Sequence, residues 1–282
     1  MNTKLKLLVT AIGIGAISGV VYARCGVSNK ASAFQGLFRW TVFKLQKVEQ
    51  LTPDSKKYTF AFPDSATVSG LKPGSVVLAC IKTPKGSAYR PYSPISEDNE
   101  KRTFELAIKT YPNGKASQSF NALSVGDTVS FMGPKQEYDY KPNETERIAL
   151  IGGGCGITPL YQLLHFIAKD PNDKTKVDLF YGSQKDDGIM LKNEIDALVK
   201  SRPDQFKVHY FVSEPSEKWE GLKGKISKEY LAENLTTQNT KVYVCGPPGL
   251  YKHLCGSSSP IQLRLGGILK ELGFNSKDVI KH

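Results

Sequence analysis

From Phe38 to about Met132, apolar and polar residues alternate in short runs: "FRWTVFKLQKVEQL", "KKYTFAF", "SVVLACIK", "RTFELAIKT" and "DTVSFMG". A period of two marks half-buried strands, and the runs are separated by proline, glycine and asparagine turns such as "LKPG". Short strands joined this way predict a small antiparallel β-barrel over residues 38–139. One helical insert, "KASQSFNAL", follows the turn at Pro112–Gly114. The same region holds "YRPYSPIS", in which Arg90 and Tyr92 share one face of a strand and Ser93 turns to the other. Pro91 and Pro94 remove two ladder donors, which predicts an edge strand. An arginine fork suits a phosphate, a tyrosine ring suits a flat partner, and a hydroxyl suits a ring's polar edge. An ordinary exposed edge with a solvated arginine fits these residues equally well.

The rhythm changes after the polar stretch "YKPNETE". "RIALIGG" reads as a buried strand, and "TPLYQLLHFIAK" as a helix with Leu160, Leu163, Leu164 and Ile167 on one stripe. "KVDLFYGS", "FKVHYFV" and "KVYVCG" read as further strands, "LKNEIDALVKS" as a helix, and a last helix is expected around "RLGGILKELG". Strands alternating with helices predict a doubly wound parallel sheet over residues 140–282, with its ligand crevice at the carboxyl ends of the strands.

The N-terminus has its own pattern. Lys4 and Lys6 precede an uncharged run from Leu7 to Ala23, and Arg24 follows. Seventeen such residues reach the lower limit for a helix crossing a bilayer, with Tyr22 and Arg24 as interfacial anchors. A cleaved leader shares this pattern, but secretion fits poorly with an odd set of five scattered cysteines. The expectation is a membrane-anchor helix over 1–24 and a tether over 25–37.

The 282 residues suffice for two cores, and 40% hydrophobic with 23% charged is globular composition. The formal charge of +11 favours acidic partners. No dense basic block with interleaved aromatics is present, which argues against nucleic acid. Neither the five cysteines nor the four histidines show metal-ligand spacing, so no metal site is expected.

Two turns carry candidate chemistry. "IGGGCGITP" ends a strand and opens a helix; Gly152, Gly153, Gly154 and Gly156 let the backbone approach a ligand, and the helix start offers free N–H groups to phosphate. It lacks the lysine of a Walker loop, and Pro159 stands where a Rossmann turn has its third glycine. A glycine turn kept for packing alone is the competing reading. "VYVCGPPGL" brings Cys245 to the sheet's carboxyl edge, followed by Gly246, Pro247 and Pro248. Cys245 is open to three readings: a nucleophile, an inert buried thiol, or a small side chain beside a bound ring.

A barrel bearing RPYS, a glycine-rich turn ending in TP and a late CGPP corner, in that order, resemble the ferredoxin-reductase-like flavoenzymes. Within them the chain is similar to the branch that reduces cytochrome b5 from NADH, in its fungal mitochondrial, membrane-anchored form. The resemblance runs from about Trp40 to the C-terminus. It implies a barrel binding FAD and an α/β module binding NADH, with electrons passing to cytochrome b5 or a similar acidic haem protein. It also implies a mitochondrial outer membrane, or alternatively the endoplasmic reticulum.

Carried over residue by residue, the resemblance gives Arg90 the flavin pyrophosphate, Tyr92 the ring and ribityl region, and Ser93 the reactive edge, with Pro91 between them. Ile108, Lys109 and Tyr111 line the flavin, as does the segment Gly114, Lys115, Ala116 and Ser117, where Ala116 replaces the family's methionine. In the glycine turn Cys155 replaces a threonine and Thr158 is kept. Gly153, Gly154, Gly156, Cys245, Gly246, Pro247 and Pro248 fall on the nucleotide side, and Gly249 and Leu250 depart from the family's ending. The residues implied at the reacting centre are Ser93, Lys109 and Cys245. Glu214, beside Ser213 where NADPH users carry arginine, opposes the extra phosphate of NADPH. An NADPH-dependent ferredoxin or quinone reductase of the same fold is the rival, and a tethered protein without catalysis is the other.

Overall fold

The computed structural model describes residues 32–96, 102–259 and 264–282. The run Leu7–Ala23 and the anchor read from it lie outside the described residues. Among the described residues, no helix is long and apolar enough to cross a membrane.

Six antiparallel strands form the first sheet: β1 (Gly36–Thr52), β2 (Ser55–Ala61), β3 (Ser75–Thr83), β4 (Gly86–Tyr92), β5 (Thr103–Lys109) and β6 (Thr128–Gln136). Their spatial order is β4-β3-β6-β1-β2-β5. As the prolines require, β4 is an edge. The two edges meet just beyond it, where the Ile95 amide donates to the Glu105 carbonyl on β5 at 2.9 Å. Alternation buries one face of β1, β3 and β6, and β2 and β5 add further buried residues, around a cluster of phenylalanines. Phe43 and Phe104 lie 4.9 Å apart edge-to-face, Phe60 and Phe131 5.1 Å apart, and Phe104 and Phe131 5.1 Å apart at 90°. These offset geometries are the ones that the ring quadrupoles favour. Helix α1 (Lys115–Asn121) packs Phe120 against Tyr58 and Tyr92 from this sheet.

The second sheet is parallel: β7 (Arg147–Gly153), β8 (Lys176–Ser183), β9 (Phe206–Val212), β10 (Leu222–Lys223), β11 (Thr240–Cys245) and β12 (Val279–Lys281). The order β10-β9-β8-β7-β11-β12 reverses direction between β7 and β11, which is the switch point where such sheets open a crevice. Along β7, Ile148 and Leu150 pack on one face with α2 (Ile157–Lys169) and α3 (Lys192–Ser201). Ala149 and Ile151 pack on the other, with α4 (Lys228–Asn234), α5 (Pro248–Cys255) and α6 (Gly267–Glu271).

Four of these elements, β10, α4, α5 and β12, have no counterpart in the sequence pattern. The two prolines that follow Gly246 do more than stiffen a corner: Pro247 is the N-cap and Pro248 the first residue of α5, where a missing N–H costs nothing. α4 is capped by Ser227, whose hydroxyl accepts from the Tyr230 amide. β12 is three residues long and acquires its strand form from pairing with β11. The last helix, expected around "RLGGILKELG", is confined to Gly267–Glu271.

The two sheets are joined through α2. Its stripe of Leu160, Leu163, Leu164 and Ile167 is buried as the spacing requires, and Ile95 and Ala107 of the barrel belong to the same core. Gln162, 3% exposed, works as a polar clamp inside that contact. Its Oε1 accepts from the Gly74 amide at 2.8 Å, and its Nε2 donates to the carbonyls of Pro94 at 2.8 Å and Ser75 at 3.3 Å. Gln162→Ala should therefore cost about 1–3 kcal/mol, because it leaves buried backbone groups without partners. The denaturant midpoint measures this, and an unchanged midpoint would contradict the clamp.

Candidate functional site

The switch point is built by close backbone approach. Gly153 is extended at the end of β7, Gly154 adopts φ +53°, and a short turn over Gly154–Gly156 leads into α2. A Cβ on Gly156 would collide with the Cys245 carbonyl, so only glycine allows the turn to rest on the end of β11. A Cβ on Gly246 would lie 2.6 Å from Leu250 Cδ2. Gly154 faces open space, and α2 begins without a side-chain cap or an acid in its first turn. Its N–H groups and positive dipole end are thus free for an anion. Tyr181 Oη donates to the Gly154 carbonyl at 3.0 Å and fixes the turn from below.

The barrel supplies the facing wall. β4 carries Arg90 and Tyr92, β5 ends in Ile108 and Lys109, and the Tyr111–Gly114 turn leads into α1. Ser117 Oγ accepts from the Tyr111 amide at 3.1 Å and donates to the Gly114 carbonyl at 3.0 Å, which holds the turn in shape. Lys109 Nζ pairs with Asp54 Oδ2 at 2.8 Å, leaving the ammonium fixed at the cleft. Arg90 donates to its neighbour's carbonyl, Tyr89 O, at 2.7 Å, and among the described residues no carboxylate pairs with it.

Two cavities result. The first, about 490 Å³, is lined by Arg90, Pro91, Tyr92, Ser93, Ile108, Lys109, Tyr111 and the whole segment Gly114–Ser117. Cys155, Gly156, Thr158, Cys245 and Gly246 complete it from the α/β side. The second, about 1200 Å³, is lined by Gly153, Gly154, Cys155, Gly246, Pro247 and Pro248, with Ser213 and Lys225 farther along. Every residue that the resemblance places beside the flavin or on the nucleotide side lines one cavity or the other, and the two share Lys109, Tyr111, Cys155 and Gly246. At this junction Tyr111 Oη donates to Cys155 Sγ at 3.2 Å, a contact between barrel and glycine turn.

The chemistry of the donors is selective. Burial pushes the Cys245 thiol up to about 12, so it stays protonated at neutral pH and is no nucleophile there. Cys80, Cys155, Cys245 and Cys255 are free thiols. Thr158 turns its hydroxyl back to the Cys155 carbonyl at 3.2 Å. Glu214 accepts from Gln184 Nε2 at 2.9 Å, which holds its carboxylate at the carboxyl edge beside Ser213.

The sequence pattern does not reveal Glu137, which also lines the first cavity. Its carboxyl is lowered to about 2, chiefly by the hydrogen bond from His282. His282 packs its ring 4.9 Å from that of Tyr138, places Nδ1 3.4 Å from Glu137 Oε2, and lines the same cavity. No local signal marks this pair, because only the β11–β12 pairing brings His282 to the barrel. Taken together, a guanidinium without an acid partner among the described residues, an uncapped helix start and side-chain-free glycine walls fit a flavin dinucleotide in the first cavity and a nicotinamide dinucleotide in the second.

Known families match successive parts of the chain. Residues 42–140 match the family described as oxidoreductase FAD-binding domain, and residues 150–256 the oxidoreductase NAD-binding domain. The chain is 43% identical to NADH-cytochrome b5 reductase 2 of Yarrowia lipolytica over 280 residues, 96% of each chain. It is 44% identical to the protein of that name from Candida albicans over 288 residues, covering 98% of this chain and 96% of that one. Among solved structures, the cytochrome b5 reductase domain of Ulva prolifera nitrate reductase superposes with a TM-score of 0.78 at 28% identity, over 89% of this chain and 100% of that domain. On these matches, the chain belongs to the NADH-cytochrome b5 reductase family of FAD- and NAD-binding oxidoreductases.

Proposed function

We propose that the chain takes a hydride from NADH onto FAD and passes the electrons singly to cytochrome b5 or a similar acidic haem protein. The observation that carries this reading is the meeting of two cavities at Tyr111 and Cys155, on the switch point of the parallel sheet. When bound, FAD supplies the exchange between two-electron and one-electron chemistry. Residues 38–139 form the FAD module and residues 140–282 the NADH module.

Within the first module, Arg90 presents its fork to the diphosphate, Tyr92 packs its ring against the flavin, and Ser93 donates a hydrogen bond at the ring's edge. Lys109, held by Asp54, keeps a fixed positive charge at the junction, where negative charge is stabilised without reorganisation. On the other side, the backbone of Gly153–Gly156 and the start of α2 receive the second diphosphate. Cys245 positions the nicotinamide as a protonated thiol and forms no covalent bond. Pro247 and Pro248 hold the end of β11 against the glycine turn. Glu214 opposes a phosphate at the adenosine ribose and so favours NADH.

Residues 1–24 anchor the protein in the mitochondrial outer membrane, with residues 25–37 as a tether. The formal charge of +11 steers an acidic acceptor toward the catalytic part.

Arg90→Ala should yield purified protein severalfold depleted in FAD, read from the ratio of flavin to protein absorbance; full occupancy would refute the diphosphate assignment. Glu214→Arg should raise kcat/KM for NADPH relative to NADH by about tenfold, equivalent to ~1.4 kcal/mol. Steady-state kinetics with both nucleotides measure this, and an unmoved ratio would sink the charge argument.

A further inference from the structure

The outer face of the barrel sheet carries an apolar surface that neither cavity needs. Register places Trp40, Met132, Leu78 and Pro91 in one row across β1, β6, β3 and β4, and Val42, Ser130, Cys80 and Tyr89 in the next. With a side-chain period of two, both rows point to the same side, away from the buried Thr41, Phe43, Val77 and Ala79. Val42 is 57% exposed and Tyr89 51%, while Trp40 rests its ring 5.8 Å from that of Tyr89. Neither row contains a charged side chain. Phe38, just before them on β1, is 95% exposed. Exposed Lys44 and Lys82 flank the Val42 row in the adjacent register, and of the eight row residues Pro91 alone also lines a cavity.

Three considerations select what covers this face. Its two rows, four strands wide, measure roughly 200 Å², far below the roughly 800 Å² per partner of a stable protein interface. That argues against a second copy of the chain. An acidic haem protein would seek cationic surface, and the rows carry no charge. The composition of tryptophan, tyrosine and aliphatic residues with lysine at the margin is that of a membrane–water interface, where rings sit at headgroup level and lysines meet lipid phosphate.

The position in the chain points the same way. β1 begins four residues after Ser32, where the described residues start, and Phe38 lies only fifteen residues after Ala23. Fully extended, that length of chain reaches about 50–54 Å. A chain held at Ala23 therefore keeps this face at high local concentration beside the bilayer, and weak contacts suffice to seat it.

We propose that the face built by Trp40, Val42, Leu78, Tyr89 and Met132 lies in the headgroup zone of a phospholipid bilayer and orients the barrel on it. This rests on the reading of residues 1–24 as an anchor.

The test uses the full chain with Trp219→Phe, which leaves Trp40 as its one tryptophan of two. The protein is bound to vesicles of phosphatidylcholine and phosphatidylglycerol, with or without bromine on the lipid acyl chains near the headgroups. Flotation with the vesicles reads the anchor. Trp40 emission, compared between brominated and plain vesicles, reads the face. Co-flotation with emission roughly halved by bromine is expected for an indole at interfacial depth. Adding the exposed-face change Val42→Glu should restore the emission while flotation persists. Flotation with equal emission in both vesicle types overturns the docked face and leaves the anchor standing; failure to float overturns both. Parallel measurements on the chain with both tryptophans, against the same chain carrying Trp40→Phe, give the same comparison if Trp219→Phe does not fold.

Discussion

Gly156 comes so close to the Cys245 carbonyl that no side chain fits between them, and the whole site follows from that approach. The ends of β7 and β11 abut without side chains, so the turn after β7 is forced to start α2 at the crevice rather than above it. The helix start then faces the cleft uncapped, and Cys155 is carried outward to meet Tyr111 from the barrel at 3.2 Å. One backbone contact thereby sets the direction of the helix dipole and the junction of the two halves.

The barrel side depends on a different arrangement of groups. Pro91 withholds a ladder donor from the edge strand β4, whose Arg90 and Tyr92 line the first cavity. The edge is still tied down, because Ile95 donates to Glu105 and Gln162 of α2 reaches the Pro94 carbonyl. The wall is thus open where a ligand must enter and fixed immediately beyond. Lys109 is immobilised by Asp54 in the same manner, so its charge stands at the junction before any ligand arrives.

Much of this is legible in the sequence, because the signals are local. Alternation along β1 to β6 marks the antiparallel sheet, apolar runs between helical stripes mark the parallel one, and RPYS, GGGCGITP and CGPP are each one short contiguous stretch. What escapes the sequence is non-local. β12 is a strand only because β11 lies beside it, and through it His282 reaches Glu137 across the cleft. Gln162 looks like an ordinary helix residue, since its partners are 68 to 88 positions away. The helix after Cys245 is hidden for another reason: Pro247–Pro248 reads as a rigid corner, although proline is well suited to a helix's first turn.

The proposed meeting of a nicotinamide with a flavin held by the first module is read most directly by anaerobic titration of the purified, intact chain with NADH, followed in the flavin absorbance bands. A yellow protein is expected, its visible bands bleaching in proportion to the NADH added, one equivalent per flavin. A colourless protein that takes up no FAD when supplied with it, or a yellow one whose bands do not respond to NADH, would contradict the two-site geometry.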